Sequence, residues 1–349
     1  MKALVKTKAG PGNLEILDVP EPVVTDRMVK IKVVYSGVCG TDVHTWDGLY
    51  PGNTPPVTLG HEFSGYVTEI GPAVQSLKPG DRVTSETTFS ICGECVFCRR
   101  KEYNLCSFRK GIGTQVNGSF ADYVLSREES VHKIPDTVSL LSAALTEPLA
   151  CAVHGCLERT TVTAGDTVLI LGPGAMGILS AMTMLAQGAT VILSGVSVDE
   201  DKLRFARELG VQHTVNQQKE NLQDIVMQLT KGAGVNSVIE CSGNVKALNL
   251  ALQLAGKQAD IVQLGIFQKQ YNEIDTSVFF PKELRLVGSR TQKPSSWEIA
   301  INLMASKALI PEKLVTGTFP LDEWQKAFQT VKEQRGIKTI IQCSDYFGA

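Results

Sequence analysis

TVLILGPGAMGILSAMTMLAQGATVILSGVSV, residues 167–198, is the stretch that decides the fold of this 349-residue chain. It carries no charged side chain, so its length alone would suit a membrane-spanning helix. However, a Gly-Pro-Gly turn at 172–174 interrupts it near its start, and a Gln-Gly pair at 187–188 interrupts it again. The pieces are a β-rich run, a stretch of helix length and a second β-rich run. We therefore reject a membrane span and predict buried parallel strands joined by a helix.

Outward from this unit, strand-like and helix-like runs alternate from about 155 to 290. Such alternation predicts a doubly wound parallel sheet of Rossmann type. Residues 1–154 contain short strand-like runs with frequent Gly and Pro, which is typical of an all-β barrel or sandwich. A chain of this length should form two domains. We expect one domain at 155–290 and a second, β-rich domain formed by 1–154 and 291–349.

Composition and charge exclude several classes of function. The chain is 43% hydrophobic and 20% charged, as is ordinary for a soluble globular protein. Its net charge of -2 gives no electrostatic footprint for nucleic acid or for an anionic membrane surface. The opening MKALVKTKAG has scattered lysines and no apolar core, so we expect no secretory signal and a cytoplasmic protein.

The sequence GPGAMG at 172–177 fits the dinucleotide-binding pattern G-x-G-x-x-G and lies between a predicted strand and a predicted helix. Gly172 permits a tight turn, Gly174 lets the backbone approach a pyrophosphate, and Gly177 allows helix and strand to pack closely. The helix N-terminus offers unpaired N–H groups to the phosphates. We therefore predict an NAD or NADP site. Two further residues are expected to contact the cofactor: Met176 and Gly265.

The residues at the end of the second strand leave the choice between the two cofactors open. An NAD-specific site usually places an acid there, to hold the ribose hydroxyls, but this chain has Ser194 and Gly195. Asp199 could curl back to the ribose, or the pocket could take NADP, or it could take both. Gly195 leaves space for a 2′-phosphate. Candidate donors to that phosphate are Ser194, Ser197 and Arg204. On sequence alone we favour NADP or dual use.

ICGECVFCRRKEYNLC, at 91–106, holds four of the nine cysteines: Cys92, Cys95, Cys98 and Cys106. A disulfide staple, a redox pair and a metal cage are the three explanations. Disulfides rarely persist in cytosolic proteins. Three cysteines at every third position plus a fourth suit a tetrahedral cation better than a thiol pair does. We predict a closed structural zinc site in the loop 90–107, which leaves the reactive site elsewhere.

A second set of metal-binding side chains is scattered along the chain. Cys39, His61, Glu62 and Glu147 supply one thiolate, one imidazole and two carboxylates. A catalytic zinc takes about three protein ligands and keeps one position open. Spacing alone does not show that these residues meet. Each also has a structural alternative, as a buried small hydrophobe, a core histidine or a solvated acid.

Three motifs occur in the order known from one family. They are GVCGTDVH at 37–44, GHEFSG at 60–65 and the cysteine loop. The chain resembles the zinc-dependent medium-chain dehydrogenases over essentially its whole length. The resemblance implies a GroES-like catalytic domain beside the Rossmann domain. It also implies that Cys39, His61 and Glu62 lie at a catalytic zinc, and that Glu147 ligates the metal or holds its water.

The resemblance implies a mechanism as well. Zinc would act as a Lewis acid on the substrate hydroxyl, and a hydride would pass from carbon to the nicotinamide. Thr41 and His44 match the family's proton relay, in which the hydroxyl passes the proton and the imidazole releases it. We thus expect two zinc ions per chain. The carboxylate-rich catalytic site is also expected to tolerate manganese, since oxygen ligands suit that ion.

Acidic residues at both 62 and 147 match the polyol and threonine dehydrogenase branch. The chain is most similar to polyol and polyol-phosphate dehydrogenases, the D-arabinitol-phosphate type in particular. Arg109, Lys110 and Arg290 match pocket positions of that branch, and arginine suits bidentate binding of phosphate. We expect oxidation of a phosphorylated pentitol or hexitol to a ketose, with a neutral polyol of the sorbitol type as the alternative.

Three rival functions are weighed against this one. L-Threonine 3-dehydrogenase shares the acid-rich zinc site but binds an amino-acid zwitterion. A zinc-free quinone reductase relative would lack the cysteine loop and the GHE ligands, which are both intact here. A zinc-stabilised binding module would be expected to carry a basic patch, which is missing. We also expect a homodimer or homotetramer.

Overall fold

The computed structural model describes residues 1–267 and 269–345. No helix within these ranges is long and apolar enough to cross a membrane. The uncharged stretch at 167–198 instead forms two strands with a helix between them. The membrane-span interpretation is thus excluded for this stretch.

The chain divides into two compact units. One consists of Met1–Glu147 and the C-terminal segment that begins at Lys293, and the other of Pro148–Gln292. The boundaries expected from the sequence were 154/155 and 290/291. The first lies seven residues after the observed division and the second two residues before it. The second unit is called here the dinucleotide unit, and the first the β-rich unit.

The strands, in chain order, are β1 (Lys2–Lys6), β2 (Leu14–Asp18), β3 (Met28–Gly37), β4 (Val57–Thr58), β5 (Glu62–Ile70), β6 (Arg82–Ser85), β7 (Thr88–Ser90), β8 (Lys110–Gly111), β9 (Tyr123–Arg127), β10 (Val131–Lys133), β11 (Thr167–Leu171), β12 (Thr190–Gly195), β13 (His213–Asn216), β14 (Val235–Glu240), β15 (Ala255–Gln263), β16 (Arg285–Gly288), β17 (Val315–Pro320) and β18 (Lys338–Gln342).

The α-helices are α1 (Gly40–Trp46), α2 (Val96–Arg99), α3 (Leu140–Ala144), α4 (Thr146–Val153), α5 (Ala175–Ala186), α6 (Glu200–Glu208), α7 (Leu222–Leu229), α8 (Val245–Leu254), α9 (Phe279–Lys282), α10 (Pro294–Ala305) and α11 (Trp324–Lys332). A π-helical turn at His154–Glu158 follows α4. Short 3₁₀ turns lie at Tyr103–Leu105, Glu128–Ser130, Ser197–Asp199, Pro311–Leu314 and Leu321–Glu323.

The dinucleotide unit contains a six-stranded sheet in the order β13-β12-β11-β14-β15-β16, and every pair in it is parallel. The central strands β11 and β12 are almost fully buried, which explains why their sequences are continuous apolar runs rather than alternating ones. The strand order reverses between β11 and β14. Ligands of doubly wound sheets bind at the carboxyl ends of the strands beside such a reversal. This sheet confirms the predicted Rossmann fold.

The β-rich unit contains a seven-stranded sheet along which β10-β6-β5-β3-β18-β17 follow one another, with β9 pairing beside β3. A separate three-stranded sheet has the order β2-β1-β4, and β7 pairs with β8. The C-terminal strand β18 pairs antiparallel with β3, while β5 pairs with the same strand, over most of its length, from the other side. The start of β5 and the start of β18 therefore lie on either side of the end of β3.

Candidate active site

The four loop cysteines converge at one point. Their Sγ atoms all lie within 4.8 Å of one another. The separations are 3.8 Å for Cys92–Cys98, 3.5 Å for Cys95–Cys98 and 3.7 Å for Cys92–Cys106. A tetrahedral zinc with Zn–S bonds of about 2.3 Å separates its sulfurs by about 3.8 Å. The cluster therefore fits the predicted structural zinc site, and it is called the cage from here on.

Local backbone geometry explains why this loop folds into a cage. Cys95 is the N-cap of α2, and its Sγ accepts a hydrogen bond from the backbone N–H of Cys98 at 3.4 Å. The N–H of Cys95 donates in turn to the Sγ of Cys92 at 3.4 Å. Gly93 lies between them with a φ of +80°, a conformation that favours glycine. Backbone N–H groups directed at sulfur stabilise thiolates, which are the form that zinc binds.

The thiols of the cage differ in acidity when no metal balances them. Hydrogen bonds from the backbone N–H groups of Cys95 and Glu94 lower the pKa of Cys92 to about 7. Burial, together with the neighbouring thiols, raises the pKa of Cys98 to about 12. A divalent cation would stabilise all four thiolates at once. All nine cysteines of the chain are free thiols, so the structure holds no disulfide staple.

The second predicted cluster also forms, with three members. Ligand atoms of Cys39, His61 and Glu62 lie within 4.8 Å of one another. Cys39 is the N-cap of α1, His61 immediately precedes β5, and Glu62 is the first residue of that strand. Glu62 is buried, while Cys39 and His61 are partly exposed. One thiolate, one imidazole and one carboxylate that keep partial access to solvent fit a catalytic zinc with an open position.

Glu147 lies outside this set of three, although the sequence placed it in the same group. It is the second residue of α4 and is buried. Its charge nevertheless acts on His61 and on Lys338, so it belongs to the same electrostatic neighbourhood. Whether Glu147 ligates the metal or holds its water stays a prediction.

Asp42 orients the cluster and was missed in the sequence. Its Oδ2 accepts a hydrogen bond from the backbone N–H of Cys39 at 2.9 Å, and its Oδ1 lies 3.8 Å from Nδ1 of His61. Asp42 is the third residue of α1, where an acidic side chain that accepts from the N-cap N–H completes a capping box. The spacing C-x-x-D at 39–42 was the available signal. At 3.8 Å the carboxylate attracts the imidazole electrostatically without a hydrogen bond, and it lies on the side of the ring from which carboxylates orient a ligating histidine.

The anionic surroundings control the protonation of His61. Burial lowers its pKa, but the charge of Asp42 and a hydrogen bond with Cys39 outweigh burial, so the pKa lies well above its ordinary value. A metal binds an imidazole through an unprotonated ring nitrogen. Metal binding to a protonated His61 must therefore release a proton. The donor set is thus anionic enough to attract a divalent cation.

Lys338 is the second residue that sequence reasoning missed. It is buried at the start of β18, and its Nζ donates to Oε1 of Glu62 at 2.7 Å and to the backbone oxygen of Val38 at 3.0 Å. Burial lowers the pKa of Lys338, but the charges of Glu62, Cys39 and Glu147 and the hydrogen bond to Glu62 together outweigh burial and raise the pKa above its ordinary value. The signal was a lone lysine in the otherwise uncharged strand KTIIQ.

The predicted proton relay lies on α1. Thr41 is partly buried in the first turn, and His44 is exposed one turn later. Residues three apart occupy neighbouring positions on one side of a helix, so the hydroxyl and the imidazole can act in sequence. Transfer of a proton along this pair stays a prediction.

The glycine motif adopts the geometry of a phosphate-binding turn. Gly172 has a φ of +90°, and a Cβ placed on Gly177 would lie 1.9 Å from the backbone oxygen of Gly172. Gly174 is the exposed N-cap of α5, and a Cβ there would meet nothing within 4 Å. Two glycines are therefore needed for backbone conformation and packing, and Gly174 leaves open space at the helix N-terminus, where a pyrophosphate binds. Met176 is partly exposed in the same first turn.

Asp199 lies close to the end of β12, although it follows that strand by four residues. A Cβ built on Gly195 would lie 3.1 Å from Cβ of Asp199 and 2.9 Å from Cγ of Pro173. The carboxylate accepts from the backbone N–H of Val196 at 3.2 Å and lies 3.5 Å from Nζ of Lys202. An acid carried by the 3₁₀ turn thus lies beside the end of β12, where the first of the three alternatives requires it, and its contact with a ribose stays a prediction.

The other polar side chains predicted to contact the cofactor form hydrogen bonds or ion pairs with neighbouring residues. Ser194 is buried, and its Oγ accepts a hydrogen bond from Gln217 at 2.5 Å. Arg204 pairs with Asp201 at 2.6 Å, and both side chains are mostly exposed. Ser197 exchanges hydrogen bonds with Asn216. The choice between NAD and NADP stays a prediction.

Gly265 and Arg290 line one cavity of the dinucleotide unit, with a volume of about 840 Å³. Lys269 and Tyr271 also face this cavity. A Cβ on Gly265 would lie 2.5 Å from Oε2 of the buried Glu240, so only glycine fits there. The cavity therefore contains two cationic side chains next to a predicted cofactor contact.

Arg109 and Lys110 lie in the β-rich unit. Arg109 is partly buried and donates to Oγ1 of Thr87 at 2.7 Å and to Oγ1 of Thr88 at 2.9 Å. Lys110 is exposed on β8. The two threonine hydroxyls hold the guanidinium in place. The roles of these residues in substrate binding stay predictions.

Two family models match the chain. The model described as "Alcohol dehydrogenase GroES-like domain" matches residues 25–136, and the one described as "Zinc-binding dehydrogenase" matches residues 175–306. The first covers Cys39, His61, Glu62 and the cage, and the second covers the end of the glycine turn and most of the parallel sheet. Together they match more than half of the chain.

Similar proteins extend over the full length. The D-arabitol-phosphate dehydrogenase of Enterococcus avium is 45% identical and aligns over 98% of this chain and 97% of its own. The sorbitol dehydrogenase of Halalkalibacterium halodurans is 44% identical over 98% and 99%. A solved chain from Sinorhizobium meliloti, described as a zinc-binding dehydrogenase and bound to NADP, is 33% identical, with a TM-score of 0.89 over 98% of each chain.

Proposed function

The chain belongs to the zinc-binding dehydrogenase family of NAD(P)-dependent oxidoreductases, and on that basis we propose that it oxidises a secondary hydroxyl of a polyol or polyol phosphate to a ketose. The convergence of Cys39, His61 and Glu62 within 4.8 Å supports this activity most directly. The similarity of 44–45% to two dehydrogenases named for a polyol and a polyol phosphate supports the substrate class.

Different residues of this chain would bind the metal, position its ligands and transfer the proton. Cys39, His61 and Glu62 would hold a zinc ion that supplies Lewis-acid polarisation of the hydroxyl, while bound NAD(P) supplies the hydride acceptor. Asp42 keeps the Cys39 turn and the imidazole in place. Thr41 takes the hydroxyl proton, and the exposed His44 releases it to solvent.

We propose a phosphorylated polyol as the substrate. Arg290 and Lys269 line one cavity, and arginine binds phosphate bidentately while lysine supplies a point charge. Arg109 is the second candidate, because the two threonine hydroxyls hold its guanidinium rigidly. A neutral polyol and L-threonine remain the alternatives that a substrate panel separates.

Arg290→Ala is expected to raise KM for arabinitol phosphate by about 10- to 100-fold, because a charge-assisted hydrogen bond contributes roughly 1.5–3 kcal/mol. KM for unphosphorylated arabinitol should not change. Steady-state kinetics on arabinitol, arabinitol phosphate, sorbitol and threonine, each with NAD and NADP, measures both. Arg335→Ala, at an exposed arginine paired with Glu333, is the matched control. Equal activity of the wild type on both arabinitols would contradict the phosphate proposal. Turnover of threonine alone would show that the protein is a threonine dehydrogenase instead.

Asp199→Ala is expected to shift cofactor preference from NAD toward NADP by about tenfold or more, because a carboxylate favours the ribose hydroxyls and repels a 2′-phosphate. The ratio of kcat/KM for the two cofactors measures the shift. Asp201→Ala, two residues on and mostly exposed, is the control. An unchanged ratio in Asp199→Ala would assign the ribose contact to another residue.

We further propose that two copies associate through β16. This strand is the edge of the parallel sheet and pairs with β15. Leu286 on β16 is 40% exposed and Phe280 on α9 is 93% exposed. An exposed edge strand is a template for another strand, and antiparallel pairing of β16 with its copy gives a two-fold symmetric homodimer. A homotetramer would require a second interface.

We propose a cytoplasmic location on the basis of the cage. Its four thiols bind zinc only in the reduced, ionised form. The cytosol keeps thiols reduced, whereas exported proteins tend to oxidise them to disulfides.

A further inference from the structure

A buried lysine joins two of the three residues of the catalytic cluster. Nζ of Lys338 lies 2.7 Å from Oε1 of Glu62 and 3.0 Å from the backbone oxygen of Val38, the residue before Cys39. Lys338 is 5% exposed and Glu62 is 1% exposed. One ammonium group therefore contacts a candidate ligand directly and the turn that carries another.

The sheet is built to permit this contact. Glu62 on β5 lies directly opposite Gly37 at the end of β3, and Ile340 on β18 lies opposite the same glycine on its other side. Lys338 precedes Ile340 by two residues, so its side chain points to the same face of the sheet. A Cβ on Gly37 would lie 2.1 Å from Oε2 of Glu62 and 3.1 Å from Cε of Lys338. The missing side chain of Gly37 leaves the space in which the pair meets.

Both oxygens of Glu62 lie against the ammonium group of Lys338, Oε1 at 2.7 Å as a hydrogen-bond acceptor and Oε2 at 2.5 Å as its ion-pair partner. A carboxylate shared with an ammonium group attracts a second cation less strongly, and its hydrogen-bonded oxygen is less available to a metal. An unshared carboxylate could bind a metal through both oxygens.

We propose that Lys338 is a positioning residue that keeps Glu62 a weak ligand, bound through one oxygen, so that the carboxylate can yield its place to the substrate hydroxyl. This inference rests on the proposed function, because it assumes that a metal binds beside Cys39 and His61. It predicts that removing the ammonium group strengthens metal binding while it slows turnover.

Lys338→Met keeps the length and the apolar stem of the side chain but removes its charge. The variant is expected to hold the non-cage zinc against about tenfold more chelator, because a positive charge beside the cation is removed. Its kcat should fall by about tenfold or more, as activity does when a partner of a metal ligand is lost. Lys338→Arg should restore both values toward wild type. The measurements are zinc content during titration with a chelator, the visible absorption spectrum after cobalt substitution, and kcat and KM measured separately. Lys326→Met, at an exposed lysine, is the matched control.

A purely structural role would give a different result. In that case Lys338→Met would lose the non-cage ion more easily and would also melt at a lower temperature. This result would overturn the proposal. If Lys338→Met does not fold, the double variant Glu62→Gln with Lys338→Met removes both charges. Its zinc affinity should equal that of Glu62→Gln alone, and a further change would also contradict the proposal. A wild type inactive on every polyol would reject the proposed function but leave the zinc titration valid.

Discussion

Cys98→Ser is expected to release one zinc ion per chain and to lower the free energy of unfolding by about 3 kcal/mol or more, because the folded loop depends on four ligands around one cation. At roughly 2–4 °C per kcal/mol for domains of 150–250 residues, the melting temperature should fall by about 10 °C. Cys98 is the most informative of the four cage residues. Its thiol is buried and its pKa is raised to about 12 without metal, so only a cation can hold it as a thiolate.

The control for this experiment is another cysteine. Cys343→Ser changes a thiol outside both clusters, whose Sγ donates to the backbone oxygen of Ser119 at 3.3 Å, and serine can keep that contact. The control should bind two zinc ions per chain, as the wild type should. Metal analysis and thermal denaturation of the three proteins measure both effects. Two ions and an unchanged melting temperature in Cys98→Ser would show that the cage is not a metal site.

The dinucleotide unit could be predicted from sequence because its signals are local. The uncharged stretch at 167–198 is divided by its glycines into the pieces that become β11, α5 and β12. Each piece is decided within a few residues, by apolar periodicity and by turn chemistry. The order of the six strands then follows from the fold class rather than from further residues.

The β-rich unit was predictable only in part. Two of the strand-like runs within residues 1–154 correspond to most of β3 and β5: VKIKVVYSG at 29–37 and FSGYVTEIG at 63–71. The strands that pair with these two could not be predicted, because pairing does not follow chain order. For example, β3 pairs with β5, which is near in sequence, and with β18, which is far. Lys338 and Glu62 are 276 residues apart and meet only because β18 joins β3. A contact of this kind leaves no periodic pattern in the sequence.

The candidate site shows the same division between local and distant information. Spacing alone predicted the cage, because its ligands lie within fifteen consecutive residues. Cys39, His61 and Glu62 were grouped only through the resemblance to a family. The structure separates Glu147 from these three, which sequence order could not do. Asp42 could have been found as the acid of a capping box, but a capping box alone does not reveal that the carboxylate also faces an imidazole.

His61→Ala is expected to lower kcat for polyol oxidation by at least about 10³-fold, because a metal Lewis acid supplies several kcal/mol of transition-state stabilisation and roughly 4 kcal/mol corresponds to that factor. Loss of the imidazole leaves Cys39 and Glu62 as two ligands, too few for a catalytic zinc. The variant should therefore keep the cage ion and lose the other, so that metal analysis gives one zinc per chain.

The fold should survive this change, because His61 lies at the start of β5 with a partly exposed side chain and its Nδ1 receives no hydrogen bond within the described part of the chain. Thermal denaturation should then show a small change, unlike that expected for Cys98→Ser. His213→Ala, at a histidine on β13 of the dinucleotide unit, is the control and should keep both ions and full activity. If His61→Ala kept two zinc ions, or oxidised polyols undiminished after losing one, the three side chains would not be the catalytic metal site. Activity therefore has to follow the occupancy of this cluster and not that of the cage, since a cage closed by four thiolates offers no position for a substrate oxygen.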